Sequence, residues 1–106
     1  MIKTKAQYEA RAQIAKALAH PTRLLLLDGL VERDLCVSEM TELVGADQST
    51  VSKHLAILRD AGFVVVEKRG AMNFYSIRCQ CLDQFFGCIE SVLRQKISAQ
   101  QELVEL

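Results

Sequence analysis

A chain of 106 residues, half of them hydrophobic, holds one domain with enough apolar material for a core. The formal net charge of zero does not announce a nucleic-acid binder, and no apolar run approaches the ~20 residues that a membrane-spanning helix needs. The N-terminus, MIKTKAQYEARAQIAKAL, mixes charges along its length and lacks the apolar stretch of a signal peptide; the expected location is therefore cytoplasmic, with the four cysteines as thiols.

Charge distribution says more than the total. Residues 1–27 carry a balance of +4, residues 28–46 one of −4, residues 47–78 one of +2 and residues 79–106 one of −2. The first predicted helix covers Ala6 to Ala19, with Ile14 and Leu18 paired at i, i+4 and Ala10, Ala15 and Ala17 allowing close approach. His20-Pro21 breaks it, and Pro21 suits the first turn of a second helix running from Thr22 to about Glu32. Leu24, Leu25, Leu26, Leu27, Leu30 and Val31 make that helix apolar nearly all round, which predicts a central position. Arg23, near its start, is expected to form a structural ion pair.

Val37 to Gly45 reads as a short third helix, with Ser38 as its cap, Met40 and Leu43-Val44 as its apolar face and Gly45 closing it. Asp47 then caps a fourth helix on which Val51, Leu55 and Leu58 recur on one buried side. Ser49, Thr50, Ser52, Lys53 and Ala56 fall on other faces; small, polar or basic side chains suit a helix lying in a major groove. Gly62 ends this helix. Phe63–Val66 and Asn73–Ile77 read as two strands joined by a turn over Arg69-Gly70-Ala71-Met72, which carries Lys68 and Arg69 to a hairpin tip. Short helix, turn, second helix and hairpin together form a helix-turn-helix with a wing.

The runs AKALAHPTRLLLLDGL (Ala15–Leu30), DLCVSEMTELVG (Asp34–Gly45) and QSTVSKHLAILRDAGFV (Gln48–Val64) resemble the ArsR/SmtB family of bacterial winged-helix repressors. The resemblance covers about Ala12 to Val92. It implies a mainly α fold of about five helices with a β-hairpin wing, a homodimer through the first and last helices, and operator DNA that is released when an effector binds. Gln48, Ser49, Thr50, Ser52, Lys53 and His54 are the expected DNA contacts on the fourth helix, with Arg69 from the wing.

A last helix is predicted from Leu82 or Asp83 past Leu93, toward Gln101. Leu82, Phe85, Phe86, Ile89, Val92, Leu93 and Ile97 form a broad apolar stripe that calls for a partner. Two-fold pairing sets two recognition helices about one DNA turn, ~34 Å, apart over a palindromic site.

Cys36, Cys79, Cys81 and Cys88 are the candidate metal or metalloid ligands, because soft thiolates select soft ions. Arsenic-responsive members of the family usually carry CVC at the Cys36 position and a third cysteine three residues later. Here Ser38 and Thr41 occupy those two places, so one of three ligands is kept, and Cys79, Cys81 and Cys88 are candidate replacements. The zinc and nickel members use His, Asp and Glu on the last helix; this last helix has no histidine. Within one straight helix Cys81 and Cys88 stand about 10 Å apart along the axis, so Cys81 either precedes the helix or meets Cys88 of the partner subunit. The expected effector is trivalent arsenic or antimony bound by three thiolates, with redox or persulfide chemistry at a cysteine pair as the alternative. A soft-metal-binding protein without operator binding is the reading from another class. No nucleophile–base pair or phosphate loop points to an enzyme.

Overall fold

The structure is a computed structural model that describes residues 1–105. The first helix, α1 (Lys5–Leu18), begins one residue earlier than its apolar spacing indicates, because Thr4 caps it. The Thr4 hydroxyl accepts from the Gln7 backbone N–H, and the Gln7 side chain accepts in return from the Thr4 N–H. Helix α2 (Pro21–Glu32) follows, with His20 as N-cap; its Nδ1 accepts from the Thr22 N–H at 3.1 Å. Leu26, Leu27 and Leu30 are buried, yet Leu25 is 41% and Val31 36% exposed, so this helix is central on one side only.

Next comes an element the sequence did not advertise, the two-residue strand β1 (Leu35–Cys36). It leads directly into α3 (Val37–Val44), which corrects the expected cap: Cys36, not Ser38, is the N-cap residue, and the Glu39 carboxylate accepts its backbone N–H at 3.0 Å. That bond first, and Arg33 second, lower the Glu39 pKa from 4.5 to about 2. Gly45 closes α3 at φ 73°, a conformation that costs glycine least.

The fourth helix, α4 (Gln48–Asp60), packs Val51, Leu55 and Leu58 into the core with no exposed surface. The wing strands β2 (Val64–Arg69) and β3 (Met72–Ile77) are antiparallel and run from Val64 opposite Ile77 to Arg69 opposite Met72. Only Gly70 and Ala71 remain for the turn, and positive φ at Gly70 alone follows the type II′ pattern that hairpins favour. Strand β1 pairs with β3, Leu35 opposite Tyr75 and Cys36 opposite Phe74, giving a three-stranded sheet in the order β1-β3-β2. Helix α5 (Leu82–Glu105) completes the chain and buries only Leu82. Among the described residues no helix is long and apolar enough to cross a membrane.

Candidate nucleic-acid interface

Asp47 organises the start of α4. Its carboxylate accepts from the Thr50 backbone N–H at 2.8 Å and from the Ser49 hydroxyl at 3.1 Å. Hydrogen bonding by Thr50, and then by Ser49, lowers its pKa from the ordinary 3.8. With Val51, Leu55 and Leu58 fixed inward, Gln48, Ser49, Thr50, Ser52 and Lys53 are all exposed, on a helix whose axis the core sets. Five of the seven expected contacts therefore share an accessible surface.

The other two are engaged within the chain. His54 is half-buried, its Nδ1 3.1 Å from an Arg23 Nη and its ring centroid 4.4 Å from that of His20. Burial first, then His20 and Arg23, push its pKa below 6.5. Arg69 reaches back along the wing instead of outward. Its Nη2 donates to Asp34 at 2.7 Å, its Nε lies 3.6 Å from Glu67, and its guanidinium stacks over Phe74 at 4.9 Å. The Asp34 hydrogen bond raises its pKa further above the ordinary arginine value. This leaves Lys68 as the wing cation without an ion pair among the described residues.

Arg23 corrects another expectation. It forms no ion pair among the described residues; its Nε donates to the Ala17 carbonyl at 2.7 Å and its Nη2 to the Lys16 carbonyl at 3.2 Å. Its position near the start of the second helix was legible, but the carbonyl partners come from the end of α1 and leave no mark in the sequence. The Asp34–Arg69 bond was equally hidden, since it depends on β1 lying beside the wing.

The cysteines separate into three places. Cys36 is buried, with Sγ 3.3 Å from the Ser38 hydroxyl. Cys88 is exposed on α5. Cys79 and Cys81 meet, their sulfurs 3.0 Å apart, in the turn before α5. Cys81 thus precedes the helix, and its carbonyl accepts the Phe85 N–H at 3.2 Å as the first helical bond. The hydrogen bond between the two thiols lowers the Cys79 pKa from 9.0 and raises that of Cys81, which favours Cys79 as the readier thiolate. No group of three or more His, Cys, Asp or Glu side chains is placed to hold a metal ion among the described residues, so a three-thiolate site does not assemble within one chain.

A capped helix with a polar outer face, preceded by a short helix and followed by a sheet wing, defines a winged helix-turn-helix protein. Residues 20–66 match the family described as "Bacterial regulatory protein, arsR family". An HTH-type transcriptional regulator of Mycobacterium tuberculosis, Rv0081, is 34% identical over 92% of this chain and 87% of its own length. Its crystal structure superposes with a TM-score of 0.83, covering 92% of this chain and 98% of that one. The transcriptional repressor BigR of Xylella fastidiosa is 30% identical with a TM-score of 0.70 over 85% of this chain and 96% of its own. A homodimeric winged helix-turn-helix domain of Mycobacterium bovis shares the fold at 24% identity, with a TM-score of 0.77 over 92% of this chain and 93% of its own. The chain belongs to the ArsR family, and it is a transcriptional repressor of that family, not an enzyme.

Proposed function

We propose that two copies of this chain pair through α1 and α5, hold operator DNA with Gln48, Ser49, Thr50, Ser52 and Lys53 of each α4, and let go when a thiol-directed effector engages Cys79 and Cys81. The observation that carries the sensing half is the 3.0 Å contact between those sulfurs in the turn that leads into α5. The Cys81 carbonyl starts the helix, and Phe85 and Ile89 on its next turns are exposed apolar side chains. Any effector that redraws the two sulfurs therefore pulls on the helix that joins the subunits. Release requires only that the effector bind the DNA-free arrangement better.

Trivalent arsenic or antimony is the first effector. Cys79 and Cys81 supply two soft thiolates, and Cys88 of the partner subunit supplies the third across an antiparallel pair of α5 helices. The presence of two sulfurs in contact, with no third group beside them, favours a second chemistry, two-electron oxidation. The Cys79 thiolate attacks a peroxide oxygen to give a sulfenic acid and, once protonated, water. The Cys81 sulfur then displaces the second water, leaving a disulfide.

One experiment separates these readings. A fluorescent duplex is selected by the protein from a randomised pool, and its release is followed with arsenite, antimonite and hydrogen peroxide on four single Cys→Ser variants. Cys79→Ser and Cys81→Ser are expected to lose every response, and Cys36→Ser to keep them. Cys88→Ser is expected to lose the metalloid response alone. Wild-type release by Cys79→Ser and Cys81→Ser would overturn the sensing assignment, and a pool that yields no salt-sensitive binder would overturn the DNA assignment.

A further inference from the structure

The three hydrogen bonds of Arg23, on α2, tie the end of α1 to α4. Two of them reach the Ala17 and Lys16 carbonyls in the last turn of α1, where carbonyls run short of helical donors; the Lys16 carbonyl also accepts the Ala19 N–H at 3.2 Å. The third reaches His54 on α4. We propose that Arg23 is a positioning residue that sets the recognition helix against α1, and that its use of His54 as an acceptor makes operator affinity fall on acidification. This inference rests on the DNA-binding reading and is independent of the thiol chemistry.

The proton dependence follows from donor and acceptor counting. A guanidinium has only N–H donors, so the His54 Nδ1 that faces it must be an acceptor. The ring is then neutral, with its proton on Nε2. His20 lies against it, rings tilted by 46° with centroids 4.4 Å apart, and its own Nδ1 accepts the Thr22 backbone N–H. A proton on His54 Nδ1 would face the Arg23 N–H directly. The charged and titratable groups acting on His54 are His20, the α2 N-cap, and Arg23 on α2 itself. No carboxylate of α1, α3, α4 or the wing acts on it to offset a positive ring. Burial adds to the penalty, and the three causes together depress its pKa. A depressed histidine pKa means that the latched arrangement is complete above the ordinary value of 6.5 and is lost as pH falls through the depressed value.

His54 follows Lys53 directly and lies four residues after Thr50, so tethering its ring fixes the rotation of the groove-facing side chains about the α4 axis. Rotation matters because base and phosphate contacts depend on alignment within a few tenths of an ångström. The sign of the pH effect is diagnostic. Added positive charge alone strengthens binding to a phosphate backbone at low pH, whereas loss of the latch weakens it.

The test uses the full chain, the duplex selected at pH 7.5, and two readouts. Imidazole nitrogen NMR of the free protein is expected to show His54 neutral with its proton on Nε2 at pH 7.5, and charging below 6.5. Affinity measured from pH 7.5 to 5.0 is expected to fall for the wild type by about threefold relative to His54→Asn, whose amide oxygen mimics Nδ1 as an acceptor and does not titrate. His20→Asn, which retains a capping side chain but removes one cause of the His54 depression, is expected to keep the fall in affinity on acidification, with its midpoint moved to higher pH. Arg23→Lys, a cation without the planar fork, is expected to weaken binding at pH 7.5 and to flatten the profile. A proton on His54 Nδ1 at pH 7.5, or equal pH profiles for wild type and His54→Asn, would overturn the proposal. A flat profile in His20→Asn instead would move the proton to His20 and overturn it as well. Failure to select any duplex at pH 7.5 would strike the DNA reading, while the NMR arm still judges the latch.

Discussion

Helices α4 and α5 have opposite relations to the core. Helix α4 seats Val51, Leu55 and Leu58 with no exposed surface and adds a polar cap and the Arg23–His54 tether. Helix α5 is nearly twice as long, yet it buries Leu82 alone and leaves Phe85, Ile89, Val92, Leu93 and Ile97 between 37% and 57% exposed. The position of α4 is settled inside one chain; that of α5 is left to whatever covers its apolar stripe. In the proposed dimer that division would keep the reading surface rigid while leaving the spacing of two such surfaces adjustable.

The contrast is broken most severely from the α4 side. Leu55→Ala removes a fully buried side chain and is expected to cost about 2–5 kcal/mol of folding stability, read from urea or thermal unfolding. On a domain whose total is about 5–15 kcal/mol, that is a large share. The α5 side is expected to respond differently. Val92→Glu combined with Ile97→Glu should leave helix content and the α4 core intact by circular dichroism. Its elution volume should be that of a monomer, and its DNA affinity should fall by about a hundredfold as the second recognition helix is lost. Retention of dimer and affinity by this variant would place the subunit contact elsewhere. The smallest effect concerns the cap. Asp47→Ala is expected to lower the melting temperature at pH 7 by a few degrees. Because the folded pKa of Asp47 lies below 3.8, the wild-type advantage should persist above that value and vanish as pH falls through the depressed one. A difference between the two proteins that does not change with pH would assign the effect to helix propensity.

What could be read beforehand follows the range of the interactions involved. The Asp47 cap, the Val51-Leu55-Leu58 face and the Gly70 turn are set by neighbours within a few residues, and the chain declares them. The α5 stripe was legible for the same reason, since helical period is a local property. Strand β1 was not, because two residues carry no period and its pairing with Tyr75 and Phe74 spans forty positions. The cap of α3 was misplaced from Cys36 to Ser38 because a cysteine rarely fills that place and the strand fixes where the helix begins. His54 and Arg69 looked available, and Arg23 was assigned an ion pair, because an isolated basic residue on a helix or hairpin gives no sign of the carbonyl, ring or carboxylate that folding brings to it. The Cys79–Cys81 contact was half visible: the CxC spacing was plain, but their meeting ahead of α5 depends on where the helix starts.

The bare stripe of α5 has a consequence for supply. On the proposed pairing, a chain that leaves Val92, Leu93, Ile97, Leu103 and Val104 in water is least stable when alone, and its stability would rise with the number of its own copies by mass action. Newly made or scarce subunits are then the ones most exposed to cellular proteases. A shortage of the protein would lengthen itself until synthesis carries the concentration past the point of pairing, and control by such a repressor would switch on over a narrower range of dosage than DNA affinity alone provides.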